Sequence, residues 1–390
     1  MRKKICFCTT LGSTIGFVTE LSKYLVEHEN YDVTWIAGDD ERLHKYVGEH
    51  IHFIPLEMKR GISFDGPKII LQLYRIFKRE KYDIVQYSTR NAGTYASIAA
   101  WMAGIKCRLY CQWGMMFIAL KGFKRFLLWL DEKIITKLST VIESESFSMY
   151  ETAIEHGIYK REKASVIWNG SACGVDIDKY ILANKTEWRK EVRGEFGISE
   201  EARVFGYCGR ITCDKGLNEL FASFKKVVED KNRKSDTYLM IIGRDDHSET
   251  INPELFAWAK SSPYVKFTGY TTNVPKYYSA LDVFTSLSYR EGFGLVVIEA
   301  AAMGVPGIVS DALGQRDTIE HLKTGYLVHT YSVEDVVEAM NYFIENPQKA
   351  EEMGVTARKV VEDKYEQKEL LRRLAEHRNQ LIEQTRIKDC

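Results

Sequence analysis

The chain has 390 residues, more than one hydrophobic core usually organises, so two domains are expected. Its composition, 45% hydrophobic and 28% charged, is that of an ordinary globular protein. The 54 basic residues balance 54 acidic ones, which removes the global case for nucleic-acid binding, and no apolar run reaches the roughly 18–20 residues that span a bilayer.

The start, Met1-Arg2-Lys3-Lys4, is basic. The apolar run after it is broken by Thr9, Thr10, Gly12 and Ser13 and lacks a small-residue cleavage site, so it reads as a strand and loop rather than a signal peptide. Strands are expected over residues 5–10, 33–37, 82–88, 108–113 and 140–144. Helices are expected over 14–27, near 68–79 and over 123–137. The alternation lapses over 168–200, which reads as an interdomain connection with a charged stretch around 185–195. A second series has strands at 204–208, 238–242, 265–268, 283–287 and 307–310, each followed by a helical segment, then a last strand at 326–328 and a helical, charged remainder. Short apolar strands spaced by helices imply two βα domains with parallel sheets covered on both faces. A ligand cleft is then expected between the carboxyl ends of the two sheets.

The cysteines (Cys6, Cys8, Cys107, Cys111, Cys173, Cys208, Cys213 and Cys390) show neither disulfide-framework nor zinc spacing and read as reduced thiols in a cytoplasmic protein. Cys6 and Cys8 are expected on alternate faces of one strand.

Three segments carry chemistry. In Ser288-Tyr289-Arg290-Glu291-Gly292-Phe293-Gly294 a strand ends, a glycine-containing turn follows and a helix opens near Gly294, which presents free N–H groups to an anion or to sugar hydroxyls. Glu291 in the turn and Glu299 on the helix are acceptor-only groups suited to hydroxyls of one ligand. Glu299 lies among Val297, Ile298, Ala300 and Ala301, where a carboxylate needs a partner. The second segment is Gly209-Arg210-Ile211-Thr212-Cys213-Asp214-Lys215-Gly216, whose two cations and following helix suit a diphosphate. It is not a Walker loop, and on its own such a pair is more often solvated. The third is the first strand-to-helix turn, where Gly12 permits close approach of another molecule and Ser13 follows it.

With these residues in place, the chain resembles the family 4 retaining glycosyltransferases (glycosyl transferases group 1), and among them the bacterial capsular and exopolysaccharide sugar transferases. The spacing of Glu291 and Glu299 matches the family's E-x7-E motif, residues 209–216 match G-R-x-x-x-x-K-G, and residues 170–176 resemble its interdomain linker. The resemblance implies an α/β GT-B fold, two facing Rossmann-like domains with an interdomain active-site cleft. Residues 1–170, with the last helix of 366–390 packed back on them, would bind the acceptor, and 171–365 the nucleotide sugar. It implies that Arg210 and Lys215 neutralise the leaving diphosphate and that Glu299 binds the ribose. Glu291, with the amides of Phe293, Gly294 and Leu295, would hold the sugar. Gly12, Gly209, Gly243, Tyr270 and Gly292 complete the donor-binding set, with 269–274 against the base, for which uridine is implied. Ser13 and Trp113 would face the acceptor side. The implied co-substrate is a UDP-sugar, the acceptor a saccharide or polyprenyl-linked saccharide, with no metal or other cofactor.

One departure stands out. Where the family has His-Gly, this chain has Gln112-Trp113-Gly114. The indole either meets the apolar end of a 6-deoxy sugar or packs in the cleft wall, the simpler reading. Two rivals to a transferase follow from the same residues. An epimerase of this fold would need acid/base side chains facing the sugar, against which the paired glutamates argue. A silent nucleotide-sugar-binding subunit is kept open by Trp113, although the full set of Glu291, Glu299, Arg210 and Lys215 opposes it. Finally, residues 121–137 combine cations with aromatics at helical spacing, and residues 59–79 add basic charge. Either this helix lies on the inner face of an anionic membrane, or Phe126, Leu127 and Leu130 are core and the lysines solvated.

Overall fold

The computed structural model describes residues 2–387 apart from 60, 62–63, 231–234 and 246–247, so Met1, Arg60 and Cys390 lie outside the described residues. The chain divides into two units, Met1–Cys173 with Gln367–Cys390, and Gly174–Glu366.

The first unit alternates β1 (Lys3–Cys8), α1 (Thr19–His28), β2 (Tyr31–Ala37), α2 (Glu41–His44), β3 (Ile51–Pro55), α3 (Gly66–Glu80) and β4 (Ile84–Ser88). It continues through α4 (Arg90–Met102), β5 (Cys107–Gln112), α5 (Gly122–Leu138), β6 (Val141–Ser144), α6 (Phe147–Glu155) and β7 (Ala164–Ser165). All seven strands are parallel, in the order β3-β2-β1-β4-β5-β6-β7. Ile5, Phe7, Val33, Trp35, Ile84 and Leu109 are buried in its core, and the Trp35 indole donates to Ser22 Oγ at 2.9 Å, satisfying a polar atom that burial would otherwise strand. Cys6 and Cys8, two apart on β1, share a face, because strand side chains alternate with period two; the expectation of opposite faces is corrected. Both are buried, and desolvation pushes the Cys8 thiol up to about 12.

The second unit holds α7 (Lys185–Glu195), β8 (Arg203–Cys208), α8 (Leu217–Glu229), β9 (Thr237–Ile242), α9 (Pro253–Ser261), β10 (Val265–Gly269), α10 (Val274–Tyr278) and β11 (Val283–Ser286). Then come α11 (Leu295–Ala302), β12 (Gly307–Ser310), β13 (Gly325–Val328), α12 (Val333–Glu345) and α13 (Pro347–Lys364). Its sheet is again parallel, ordered β10-β9-β8-β11-β12-β13, with apolar helices packed on both faces. The charged stretch 185–195 is not a linker but helix α7. Its Arg193 is fully buried, donating to Asp282 at 2.9 Å and to the carbonyls of Ala202 and Ala280.

The last helix, α14 (Gln367–Ile387), belongs to the first unit and buries Leu370, Leu371, Leu374, Leu381 and Ile382 in its core. Among the described residues no helix is long and apolar enough to cross a membrane.

Candidate active site

In an open parallel sheet, ligands collect at the carboxyl ends of the strands where the strand order reverses. In the second unit that point lies between β8 and β11. The loops leaving these two strands are residues 209–216 and 287–294, the two segments singled out by motif. Gly294 caps α11 with φ 99°, and a Cβ there would stand 2.7 Å from Gln315 Cβ, so only glycine fits the turn that opens the helix. The first N–H groups of α11 have no carbonyl ahead of them in the helix, which leaves donors at its start.

The two loops are joined by charge and by backbone. Lys215 Nζ lies 2.6 Å from Glu291 Oε1, and Ser288 Oγ donates to the same oxygen at 2.7 Å. Tyr289 N–H donates to the Asp214 carbonyl at 3.0 Å, and the Tyr289 hydroxyl donates to Glu219 at 2.7 Å. Arg210 is exposed, its guanidinium 3.9 Å from Asp214. Burial alone would push the Asp214 carboxyl up, but the Thr212 hydroxyl at 2.5 Å and the neighbouring Lys215 and Arg210 hold it below the usual range. The structure therefore places two cations and a sugar-binding candidate, Glu291, at one sheet edge, with Arg210 left to reach outward.

Under the loops sits Gln315, fully buried. It accepts from Ser286 Oγ at 2.8 Å and donates to the carbonyls of Ser286 and Ser288 at 3.2 Å each, and to Ser310 Oγ. Glu299 is the fifth residue of α11. Desolvation pushes its carboxyl up to about 7, against the Tyr180 and Tyr278 hydroxyls, the latter at 3.5 Å. The partner that an acid on an apolar helix needs is thus two phenols and not a cation.

The remaining donor-side candidates lie at the same end of the sheet. Gly209 and Gly243 follow β8 and β9, and a Cβ on Gly243 would stand 1.9 Å from the Gly209 carbonyl oxygen. Beside them Arg244 covers the exposed Tyr270 ring at 4.9 Å, a cation–π pair. Gly292 lies in the turn, Phe293 is buried edge-on against Tyr365 at 5.3 Å, and Leu295 begins α11. Among the described residues no group of three or more His, Cys, Asp or Glu side chains is placed to hold a metal. A cavity of about 550 Å³ in this unit lies at the opposite, amino end of the strands, beside Arg203, Asp282 and Pro306, and touches none of the motif residues.

In the first unit the strand order reverses between β1 and β4. The turn after β1 holds Gly12, where a Cβ would meet Asp40 Cβ at 2.4 Å and the Gly38 carbonyl at 2.6 Å. Its glycine is required by packing against the loop after β2. Ser13 is exposed. Thr89, after β4, has φ 64°, unusual for a β-branched residue. Its hydroxyl accepts from Thr10 N–H at 3.0 Å and lies 2.8 Å from Thr10 Oγ. Trp113 packs edge-on against Phe17 at 5.3 Å, half-buried.

Residues that motif reading passed over are Ser288, Gln315, Tyr180, Tyr278, Arg244 and Thr89. Ser288 was inside the quoted segment. The others are brought in from separate elements and leave no local pattern.

Residues 17–174 match the family described as Glycosyltransferase Family 4, and residues 189–360 the family described as Glycosyl transferases group 1. The chain is 31% identical over 367 residues, 93% of each chain, to the capsular polysaccharide biosynthesis glycosyltransferase CapM of Staphylococcus aureus. It is 26% identical over 325 residues, 81% of each, to the UDP-Gal:alpha-D-GlcNAc-diphosphoundecaprenol alpha-1,3-galactosyltransferase of Escherichia coli. Among solved structures, Anabaena HepE in complex with UDP superposes with a TM-score of 0.77 at 18% identity, covering 96% of this chain and 99% of that one. Sucrose-phosphate synthase from Thermosynechococcus elongatus gives 0.79 at 19%, covering 97% and 99%. At such identities these likenesses speak to the fold alone.

Proposed function

This chain belongs to the family 4 glycosyltransferases, transferases of GT-B fold, and from that premise we propose that it is a retaining enzyme acting in cell-surface polysaccharide synthesis. It moves a sugar from a UDP-sugar to a saccharide or lipid-linked oligosaccharide. The observation that carries the reading is the meeting of Lys215 and Glu291 at 2.6 Å at the order reversal of the second sheet, with Glu299 on the helix that follows.

In this reading the second unit takes the donor. Lys215 and Arg210 lie on the donor's diphosphate and stabilise the charge that grows as the anomeric C–O bond breaks. Glu291 accepts hydrogen bonds from the sugar, while the amides of Phe293 and Gly294 in the turn and of Leu295 at the start of α11 donate to it. Glu299 accepts from the ribose hydroxyls, and Tyr270, backed by Arg244, offers a ring to the base. The acceptor, on the first unit, attacks on the face that the diphosphate leaves, and its hydroxyl proton passes to the departing phosphate oxygen. The protein's share is positioning and charge stabilisation, with no covalent sugar–enzyme bond. Retention of an α-linked donor gives an α-linked product, the linkage printed in the name of the E. coli relative. That name also specifies a diphosphoundecaprenol acceptor, and the solved structure of HepE holds UDP; both support the substrate classes proposed.

A thermal-shift titration with UDP, GDP, ADP and TDP, on the wild type and on Glu299→Ala, tests the reading. UDP is expected to raise the melting temperature of the wild type, following RT ln(1 + [L]/Kd), and to lose most of that effect on the variant. A folded wild type indifferent to all four diphosphates sinks it. Turnover of donor in the presence of acceptor then separates an enzyme from a silent binding subunit.

A further inference from the structure

The cavity of about 550 Å³ at the amino end of the second sheet has no part in the candidate active site. Helix α7 runs along that edge: Lys185 reaches the carbonyl of Gly304 just before β12, Arg189 reaches Asp282 just before β11, and Arg193 reaches the carbonyl of Ala202 just before β8. The cavity opens between this helix, the strand starts and the junction of α12 with α13, and Val204, Leu281, Val283, Pro306 and Phe343 give it an apolar wall. Its volume is that of a site for a metabolite rather than for a single ion. Strand β8 is six residues long, so the motif loop leaving it begins roughly 20 Å away.

The charges lining the cavity are not matched within it. Its cations, Lys185, Arg189 and Arg203, are half-buried, whereas Glu200, Glu201 and Glu351 are exposed to solvent. The one half-buried acid, Asp282, is fully engaged, accepting from Arg189 at 2.8 Å, from Arg193 at 2.9 Å and from Val204 N–H at 2.7 Å. Arg189 has a second acid, Glu200, at 3.5 Å. Among the described residues neither Lys185 nor Arg203 has an ion pair. Lys185 Nζ donates to the Gly304 carbonyl at 3.0 Å, which caps the end of α11 and uses one of its N–H donors. Burial, with the charge of Arg189 nearby, pushes its ammonium down to about 8 against the pull of Asp282 and Glu351. A purely structural role as the cap of α11 leaves Arg203 and the cavity itself unaccounted for.

We propose that this cavity is a second ligand site, for a small organic phosphate whose head is held by Lys185 and Arg203 and whose carbon skeleton lies on the apolar wall. A phosphate monoester carries close to two negative charges at neutral pH, which matches the two cations that lack a carboxylate. A carboxylate would leave one of them uncompensated. Inorganic phosphate has the charge but fills a small part of the volume and leaves the apolar wall wet. The exposed glutamates narrow the class further, because a second anionic group on the ligand would meet Glu200, Glu201 and Glu351. A single phosphate on a neutral, hydroxylated skeleton fits; a nucleoside diphosphate does not. The site stands independently of the glycosyltransferase reading.

The test is a titration of ribose 5-phosphate into the full chain, followed by phosphorus NMR, with and without saturating UDP. Saturable binding is expected, with the same affinity in both cases, because the two sites lie at opposite ends of the strands. Inorganic phosphate should bind at least fivefold more weakly, and both should weaken in high salt. K185M/R203M is expected to weaken ribose 5-phosphate at least tenfold while keeping the wild-type melting temperature and response to UDP. In hydrogen exchange on the wild type, ribose 5-phosphate should protect residues 185–189 and 203–205. A folded chain that responds to UDP but binds neither phosphate overturns the site and leaves the enzyme reading intact. Ribose 5-phosphate that UDP displaces, or that protects only residues 209–216 and 288–294, overturns it by returning the phosphate to the motif loops. Inorganic phosphate that binds as tightly as ribose 5-phosphate overturns the organic ligand. A folded double variant that binds like the wild type removes Lys185 and Arg203 from the site.

Discussion

At the scale of single residues, the Glu299 carboxyl ties function to pH. Burial raises it from 4.5 to about 7, so between these values the native state keeps a proton that the unfolded chain has released. Stability linked to Glu299 therefore falls as pH rises from about 4.5 to about 7. Binding has the opposite sign: ribose hydroxyls need an acceptor, which is the ionised form. Affinity for a UDP-sugar is expected to rise about tenfold per pH unit up to roughly 7 and then level off. A UDP-sugar is the ligand to use, because both its phosphates are diesters without a second ionisation near neutrality, unlike UDP. Calorimetric titration across pH 5.5–8.5, on wild type and Glu299→Gln, reads this out. The variant should bind about tenfold more weakly at high pH, or roughly 1.4 kcal/mol, with a flat profile. A wild type with the same flat profile removes Glu299 from the ribose.

At the scale of elements, α14 is bolted to the first unit by a buried ion cluster. Arg378, 1% exposed, donates to Glu143 Oε2 at 2.7 Å and to Gln86 Oε1 at 2.9 Å, and His377 Nδ1 lies 2.6 Å from Glu143 Oε1. Burial pushes the Glu143 carboxyl up, but Arg378 and His377 outweigh it and bring it to about 2. Its contribution is complete above about 4.5 and is lost as pH falls toward 2. Glu143→Gln leaves a guanidinium buried without a counter-charge, and a loss of about 3–5 kcal/mol is expected in urea unfolding. The double variant E143L/R378M should recover most of it, since the pair's desolvation cost goes with the pair. If the single and double variants lose the same stability, the cluster is not what holds the helix. None of this could be read from the sequence, where Glu143 and Arg378 are separated by 234 residues. The strands of both sheets were legible to within a residue or two because their cores are apolar runs between turn residues. β3 and β7 were not: in β3 His52 is exposed and Pro55 closes an edge strand of mixed polarity, and β7 is an edge strand of only two residues. The first turns of the helix expected over 14–27 are a 3-10 turn, Gly12–Val18, whose Thr14 hydroxyl bonds the Leu11 carbonyl in competition with helix geometry. At the candidate site, Glu291, Lys215 and Glu299 were legible because their spacing is local to two loops and the helix that follows the second. Gln315, Tyr180 and Tyr278 were not, because only the fold brings them there.

At the scale of the molecule, each unit has its own parallel sheet, its own core and its own reversal of strand order, so a ligand read by one sheet should leave its mark on that unit. Hydrogen exchange resolves this, because a ligand that binds only the folded state slows the openings that expose its site. With UDP at about a hundredfold excess over Kd, the second unit gains roughly 2.7 kcal/mol, which slows exchange through its global opening about a hundredfold. Local protection should appear at residues 209–216, 243–244, 269–274 and 288–299, the carboxyl-end loops of β8, β9, β10 and β11. Core amides of β1, β4 and β5 in the first unit should exchange at their ligand-free rates. Because Lys215 and Glu291 tie the two loops together at 2.6 Å, protection should rise in both loops together. Protection confined to the turn after β1 and to Thr89 would move the nucleotide to the first unit and reverse the roles assigned to the two sheets. Protection spread evenly over α7 and the start of β8, with none at residues 288–299, would place the ligand in the cavity at the amino end of the second sheet and empty the motif loops of their proposed role.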